Sequence, residues 1–141
     1  MISKLSHASI YVLDQESAYN FYVNKLGFVE KMKIPINNEA FWLTVSPRDQ
    51  TEIEITLMPI NKGGMFNEDV AKLLSELVRK GTFGFGVFET KDIYATYQEL
   101  KLKGVEFTKE PTEKFYGIEA MFKDDSGNWF SLTQFKKGEE S

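Results

Sequence analysis

The stretch Leu5-Ser6-His7-Ala8-Ser9-Ile10-Tyr11-Val12, followed by Leu13-Asp14 and then Gln15 to Gly27, changes its hydrophobic period partway along. From Leu5 to Val12 the chain alternates, with Ala8, Ile10 and Val12 on one face and His7, Ser9 and Tyr11 on the other. That is the pattern of a strand with one side against a core. Asp14 is a suitable helix N-cap, and Ala18, Phe21, Tyr22 and Leu26 then recur at helical spacing until Gly27 stops the run. The same order returns from Thr82: an alternating strand to Phe88, and a helix begun by Thr90 or Asp92 that carries Ile93, Tyr97 and Leu100. Gly104 stops it. Gly27 and Gly104 lie 77 residues apart, as do Ala18 and Ala95.

Outward from these two strand-to-helix passages, the repeat continues. Residues 41–45 and 52–57 read as strands joined by Ser46-Pro47-Arg48-Asp49-Gln50. Residues 119–123 and 129–133 read as a hairpin around Asp124-Asp125-Ser126-Gly127-Asn128. A βαβββ unit used twice is the organisation these patterns predict. It gives one domain over residues 1–141, of class α+β, with half-units over about 3–60 and 81–135. Asn67 caps a connector helix over about 67–80, with Glu68 and Asp69 in its first turn and Arg79 and Lys80 in its last. Strand parity puts Phe83, Phe85 and Val87, with their counterparts in the other strands, on the helix-covered side. The opposite side carries His7, Tyr11, Trp42, Thr44, Glu52, Glu54, Thr82, Gly84, Gly86, Glu119, Met121, Trp129 and Ser131. Curved mixed sheets with helices outside would make those residues the lining of an open cavity. Gly84 and Gly86 either ease a bulge or leave room for a ligand.

Composition narrows the function. The 141 residues are 42% hydrophobic, enough for a real core, and 17 basic against 21 acidic side chains give a net charge of −4. No basic run offers a footprint for nucleic acid, and no apolar stretch reaches the ~20 residues of a membrane span. The first residues show neither a signal core nor a transit character, and cysteine is absent, so the expectation is a cytoplasmic protein without thiolate chemistry. A single histidine excludes any site with two imidazoles per chain.

The residues His7, Ala18-Tyr19-Asn20-Phe21-Tyr22, Leu26-Gly27-Phe28 and Asp124-Asp125-Ser126-Gly127-Asn128-Trp129-Phe130-Ser131-Leu132, in this order, resemble the vicinal oxygen chelate superfamily. That superfamily includes glyoxalase I, bleomycin-resistance-type binding proteins, fosfomycin-resistance enzymes and extradiol dioxygenases. The resemblance spans about residues 3–135 and implies metal-ligand positions at His7, Glu54, Thr82 and Ser131. Two of the four carry hydroxyls, which are poor neutral ligands for a divalent ion.

Three readings follow. The leading one is a small-molecule-binding protein of the bleomycin-resistance type, without the usual metal. Its ligand-binding residues would be His7, Tyr11, Trp42, Glu52, Thr82, Met121, Trp129 and Ser131, and its acidic lining would favour a neutral or cationic ligand. The second is a glyoxalase-like lyase, isomerase or dioxygenase with Glu54 or Glu119 as base and a divalent ion on His7 and Glu54, joined in one variant by Glu119. The third is a structural or regulatory module whose cavity is plugged by Trp42, Met121 and Trp129. The resemblance implies a homodimer under all three.

Overall fold

A computed structural model of the chain describes residues 1–137. The chain divides into two compact units, residues 1–80 and the residues from Gly81 onward. The first unit runs β1 (His7–Val12), α1 (Gln15–Tyr19, continuing as a π-helical turn over Asn20–Lys25), β2 (Val29–Pro35), β3 (Phe41–Ser46) and β4 (Glu54–Pro59). Helix α2 (Glu68–Arg79) follows. The second unit repeats the order as β5 (Gly84–Glu89), α3 (Ile93–Leu102), β6 (Glu106–Lys114), β7 (Gly117–Lys123) and β8 (Trp129–Phe135). The fold is α+β with two four-stranded mixed sheets, ordered β1-β4-β3-β2 and β5-β8-β7-β6. In each, the outer strand that opens the unit pairs in parallel with the last, and the remaining pairs are antiparallel.

Local chemistry sets the element ends. The Asp14 carboxylate accepts from the Ser17 N–H at 2.8 Å, which caps α1, and Asp92 does the same for α3 through the Ala95 N–H at 3.1 Å. The two helices end at Gly27 and Gly104, whose φ values of +78° and +88° lie where a side chain is disfavoured. Asn67 caps α2 through the Val70 N–H at 2.9 Å. In the first unit Phe21 and Tyr22 of the helical segment and Ile10, Val12, Leu43, Val45 and Leu57 of the strands are buried; in the second Ile93, Leu100, Ala120, Phe122, Phe130 and Leu132 are buried.

Two features differ from the sequence expectation. The βαβββ unit calls for four strands, but the alternating pattern located only three of them in each half, because β2 and β6 do not alternate. Both are edge strands, almost wholly exposed, charged, and broken by bulges at Glu30/Met32, Phe107/Lys109 and Lys109/Thr112. Charges and irregular register on an edge discourage pairing with foreign strands. The second difference lies in β5, where a bulge between Gly84 and Gly86 shifts the register against β8. The bulge inverts the parity beyond it. Val87 is therefore 58% exposed instead of core-facing. Phe88 enters the core in its place, stacked at 4.7 Å on Phe130.

Candidate functional site

In the first unit, β1 and β4 pair in a register that sets His7 beside Glu54, Ser9 beside Thr56 and Tyr11 beside Met58. Across β3 and β2, Thr44 lies opposite both Thr56 and Met32, and Trp42 lies opposite Ile34. Directly paired residues share a face, so this face grades from apolar at its β2 edge, Met32, Ile34 and Trp42, to polar at Thr44, Glu54 and His7.

Glu54 is the centre of the polar end. The Thr44 hydroxyl, itself fully buried, donates to Oε1 at 2.6 Å, and His7 Nε2 lies 3.4 Å from Oε2. A short hydroxyl-to-carboxylate bond is of the charge-assisted, stronger kind. The other imidazole nitrogen, Nδ1, lies 3.0 Å from the Ser6 hydroxyl, and the ring sits 6.4 Å from that of Trp42, tilted by 43°. The Glu54 side chain keeps 22% exposure and that of His7 41%, so both stay reachable from solvent. The arrangement presents an oriented carboxylate beside an imidazole and an indole, suited to hold a cation or to accept hydrogen bonds.

The second unit builds a related cluster from different strands. Ser131 on β8 donates to Glu119 Oε2 on β7 at 2.6 Å, the Tyr116 hydroxyl donates to Oε1 at 2.8 Å, and Thr133 lies 2.8 Å from Ser131. The bond to Glu119 pushes the Tyr116 hydroxyl pKa above its usual value, with desolvation and the carboxylate charge adding to it. The two clusters thus exchange roles: the carboxylate stands on the last strand in the first unit and on the strand before it in the second. Met121 pairs with Ser131, and Val87, turned outward by the bulge, pairs with Ser131 from the other side.

The remaining predicted residues fall as follows. Tyr11 is half-buried, edge-on to Phe66 at 5.6 Å. Glu52 is exposed in the turn ahead of β4 instead of lying on its polar face, because the strand starts only where the Glu54 N–H reaches the Ser6 carbonyl. Thr82 is likewise exposed and precedes β5. Trp129 is half-buried and its indole packs close to the backbone at Gly84, where an added Cβ would come within 2.2 Å of the ring. Gly84 therefore makes room for Trp129, while nothing lies within 4 Å of a Cβ built at Gly86.

The metal centre that the fold implies would draw its ligands from His7, Glu54, Thr82 and Ser131. Of the four positions, His7 and Glu54 offer an imidazole and a carboxylate that already contact each other, Thr82 is exposed, and the Ser131 hydroxyl donates to Glu119. Among the described residues no group of three or more His, Asp or Glu side chains comes together to hold an ion. These residues do not fit the usual metal centre.

Pattern reading missed Met32, Ile34 and Met58 on the first face, and Tyr116 in the second cluster. It also missed a cleft of about 370 Å³ on the helix side of the first sheet, lined by Gln15, Tyr19, Lys33, Phe41 and Lys62 among others. There the Lys33 ammonium lies 5.0 Å from both the Tyr19 and Phe41 ring centres.

Fold, duplication and site define a class, and comparison with known proteins agrees. The chain belongs to the Glyoxalase/Bleomycin resistance protein/Dioxygenase superfamily, whose family model matches residues 4–132. It is 34% identical to the uncharacterised protein YetH of Bacillus subtilis (strain 168), over 95% of this chain and the whole of that one. It is 37% identical to YurT of the same organism, over 93% of this chain and 98% of that one. Among solved structures it resembles UcmS2, with 42% identity, a TM-score of 0.88 and coverage of 94% of this chain and 98% of that one. TnmS3, an antibiotic binding protein from Streptomyces sp. CB03234, gives 27% identity, a TM-score of 0.74 and coverage of 96% and 98%.

Proposed function

We propose that this chain binds and sequesters a small planar organic molecule, neutral or cationic, in the manner of the bleomycin-resistance-type members. In this reading it works in the cytoplasm as a homodimer, without a metal at His7 and Glu54. The observation that carries the reading is the first-unit face, where a fixed, solvent-reachable carboxylate adjoins Trp42, Met32 and Ile34. An apolar wall with one or two placed polar groups is the usual make-up of a ligand site. The antibiotic-binding description of TnmS3 supports the same class of ligand. Glu119 and Ser131 with Met121 and Trp129 are the corresponding ligand-facing residues of the second unit, and Tyr11 completes the β1 side of the first.

The test is intrinsic fluorescence of a Trp129→Phe variant, which leaves Trp42 as reporter, titrated with phenazine, N-methylphenazinium and phenazine-1-carboxylate. The three share a ring system and differ in charge. Saturable quenching by the neutral and cationic members, with little from the anion, is expected; no saturable quenching by any of them overturns the reading.

A second reading, lyase or dioxygenase chemistry with Glu54 or Glu119 as base, draws on the His7–Glu54 contact at 3.4 Å. A saturable rise in melting temperature with Mn, Ni, Zn or Fe(II), lost in a His7→Ala/Glu54→Gln double variant, would favour it.

A further inference from the structure

The cleft on the helix side of the first sheet is separate from the face that carries Glu54 and Trp42. On β2, Met32 pairs with Thr44 and Lys33 with Leu43, so Met32 belongs to the Glu54 face and Lys33 to the side that α1 covers. Gln15 and Tyr19 stand about one turn apart on α1 and line the same cleft. The Gln15 amide ties the helix to two strands. It donates to the Phe41 and Leu57 carbonyls at 2.8 and 2.9 Å and accepts from the Phe41 N–H at 2.9 Å. The cleft of about 370 Å³ is therefore preformed, and its size is within the range of small-molecule sites.

Its lining joins an apolar wall to charges of both signs. Tyr19, Phe41 and Leu43 make the wall, and the Lys33 ammonium is steadied 5.0 Å from the Tyr19 and Phe41 ring centres. Lys62 adds a second ammonium, and Glu16 and Glu39 add carboxylates; all four charged side chains are exposed. Asp14 also lines the cleft, but its carboxylate accepts from the Ser17 N–H. Among the described residues none of these ammonium groups lies within 4.0 Å of a carboxylate. An inward lysine on an edge strand deters pairing with foreign strands, which accounts for Lys33 but not for the cleft or the charges across it.

We propose that this cleft is a second binding site, for a small zwitterion with an apolar side chain, of the α-amino-acid type. The ligand carboxylate meets Lys33, the ligand ammonium meets Glu16 or Glu39, and the side chain lies on the wall of Tyr19, Phe41 and Leu43. An anion alone would face the carboxylates uncompensated, and a cation alone the ammonium groups; a zwitterion answers both. The site is independent of the Glu54 face and of the ligand proposed there. A ligand this small binds with a Kd of about 1 mM at ordinary efficiency.

Two-dimensional ¹⁵N–¹H NMR of the full chain, titrated with L-phenylalanine, phenylacetate and phenethylamine to about 20 mM, tests it, and each spectrum also shows whether the protein is folded. Phenylalanine should give saturable shifts at the Lys33 and Phe41 backbone N–H groups and leave the Trp42 Nε1–H and His7 signals in place. Phenylacetate and phenethylamine, each lacking one charge, should bind at least about threefold more weakly, and Lys33→Gln and a Glu16→Gln/Glu39→Gln double variant should each weaken phenylalanine by about the same factor. No saturable shift with phenylalanine, or shifts centred on Trp42 Nε1–H and His7, overturns the site. Equal binding of phenylalanine and either singly charged analogue, or variants that bind phenylalanine as the unaltered protein does, overturns the zwitterion assignment.

Discussion

Glu54 and Glu119 each take a 2.6 Å hydrogen bond from a hydroxyl on the neighbouring strand, and each keeps a second contact, His7 for one and Tyr116 for the other. Strand parity made Trp42, Glu54 and His7 legible in the sequence. Tyr116 was not, because it stands between strands and reaches Glu119 from outside the alternating pattern. Its raised pKa carries a sign that can be checked. The folded protein holds the Tyr116 proton after the unfolded chain has begun to lose its own near pH 10, the ordinary tyrosine value. The contribution is fully present below that pH and lost as pH rises through the raised native value. In urea titrations the stability gap between the protein and Tyr116→Phe should therefore close as pH climbs past about 10. Tyr19, raised by its bond to Glu30, titrates alike in both proteins and drops out of the difference. A gap that stays constant or widens would place no stabilising role on the phenol proton.

At the level of elements, helix limits were readable from Asp14, Gly27, Asn67, Asp92 and Gly104 because caps and stops act locally. Edge strands β2 and β6 were not readable, since exposure removes the pressure for alternation, and the β5 bulge was not, since one extra residue changes no composition. Two variants probe these elements. Gly84→Ala should displace Trp129, costing about 1–3 kcal/mol in unfolding experiments and shifting the tryptophan emission, while Gly86→Ala at the same bulge should leave the emission unchanged. The β7–β8 turn is held by Asp124, whose Oδ1 accepts from the Ser126, Gly127 and Asn128 N–H groups, each at 2.9 Å, and whose Oδ2 accepts from the Asn128 side chain at 3.0 Å. Asp124→Ala would strand buried donors, and a loss of about 3 kcal/mol or more is expected by thermal or urea unfolding. A loss below about 1 kcal/mol would mean the turn is held by other contacts.

Over the whole molecule, the duplication was the most legible property, because two passes of strand, capped helix and glycine stop leave little choice of topology. The site was legible only as a set of polar-face residues. Which of them touch, and that Glu52 and Thr82 fall outside the strands, depended on register. Register comes from pairing partners distant in sequence. In the function proposed above, the net charge of −4 and the two oriented carboxylates are what disfavour an anionic ligand. The most direct measurement of that claim is calorimetric titration of N-methylphenazinium and neutral phenazine into the protein and into Glu54→Gln. The substitution should weaken the cation about tenfold, as expected for loss of a partly shielded ionic contact, and the neutral ring by no more than about twofold. Equal affinities in the two proteins, or absence of binding by either compound, would contradict the assignment of Glu54 and its face as the ligand site.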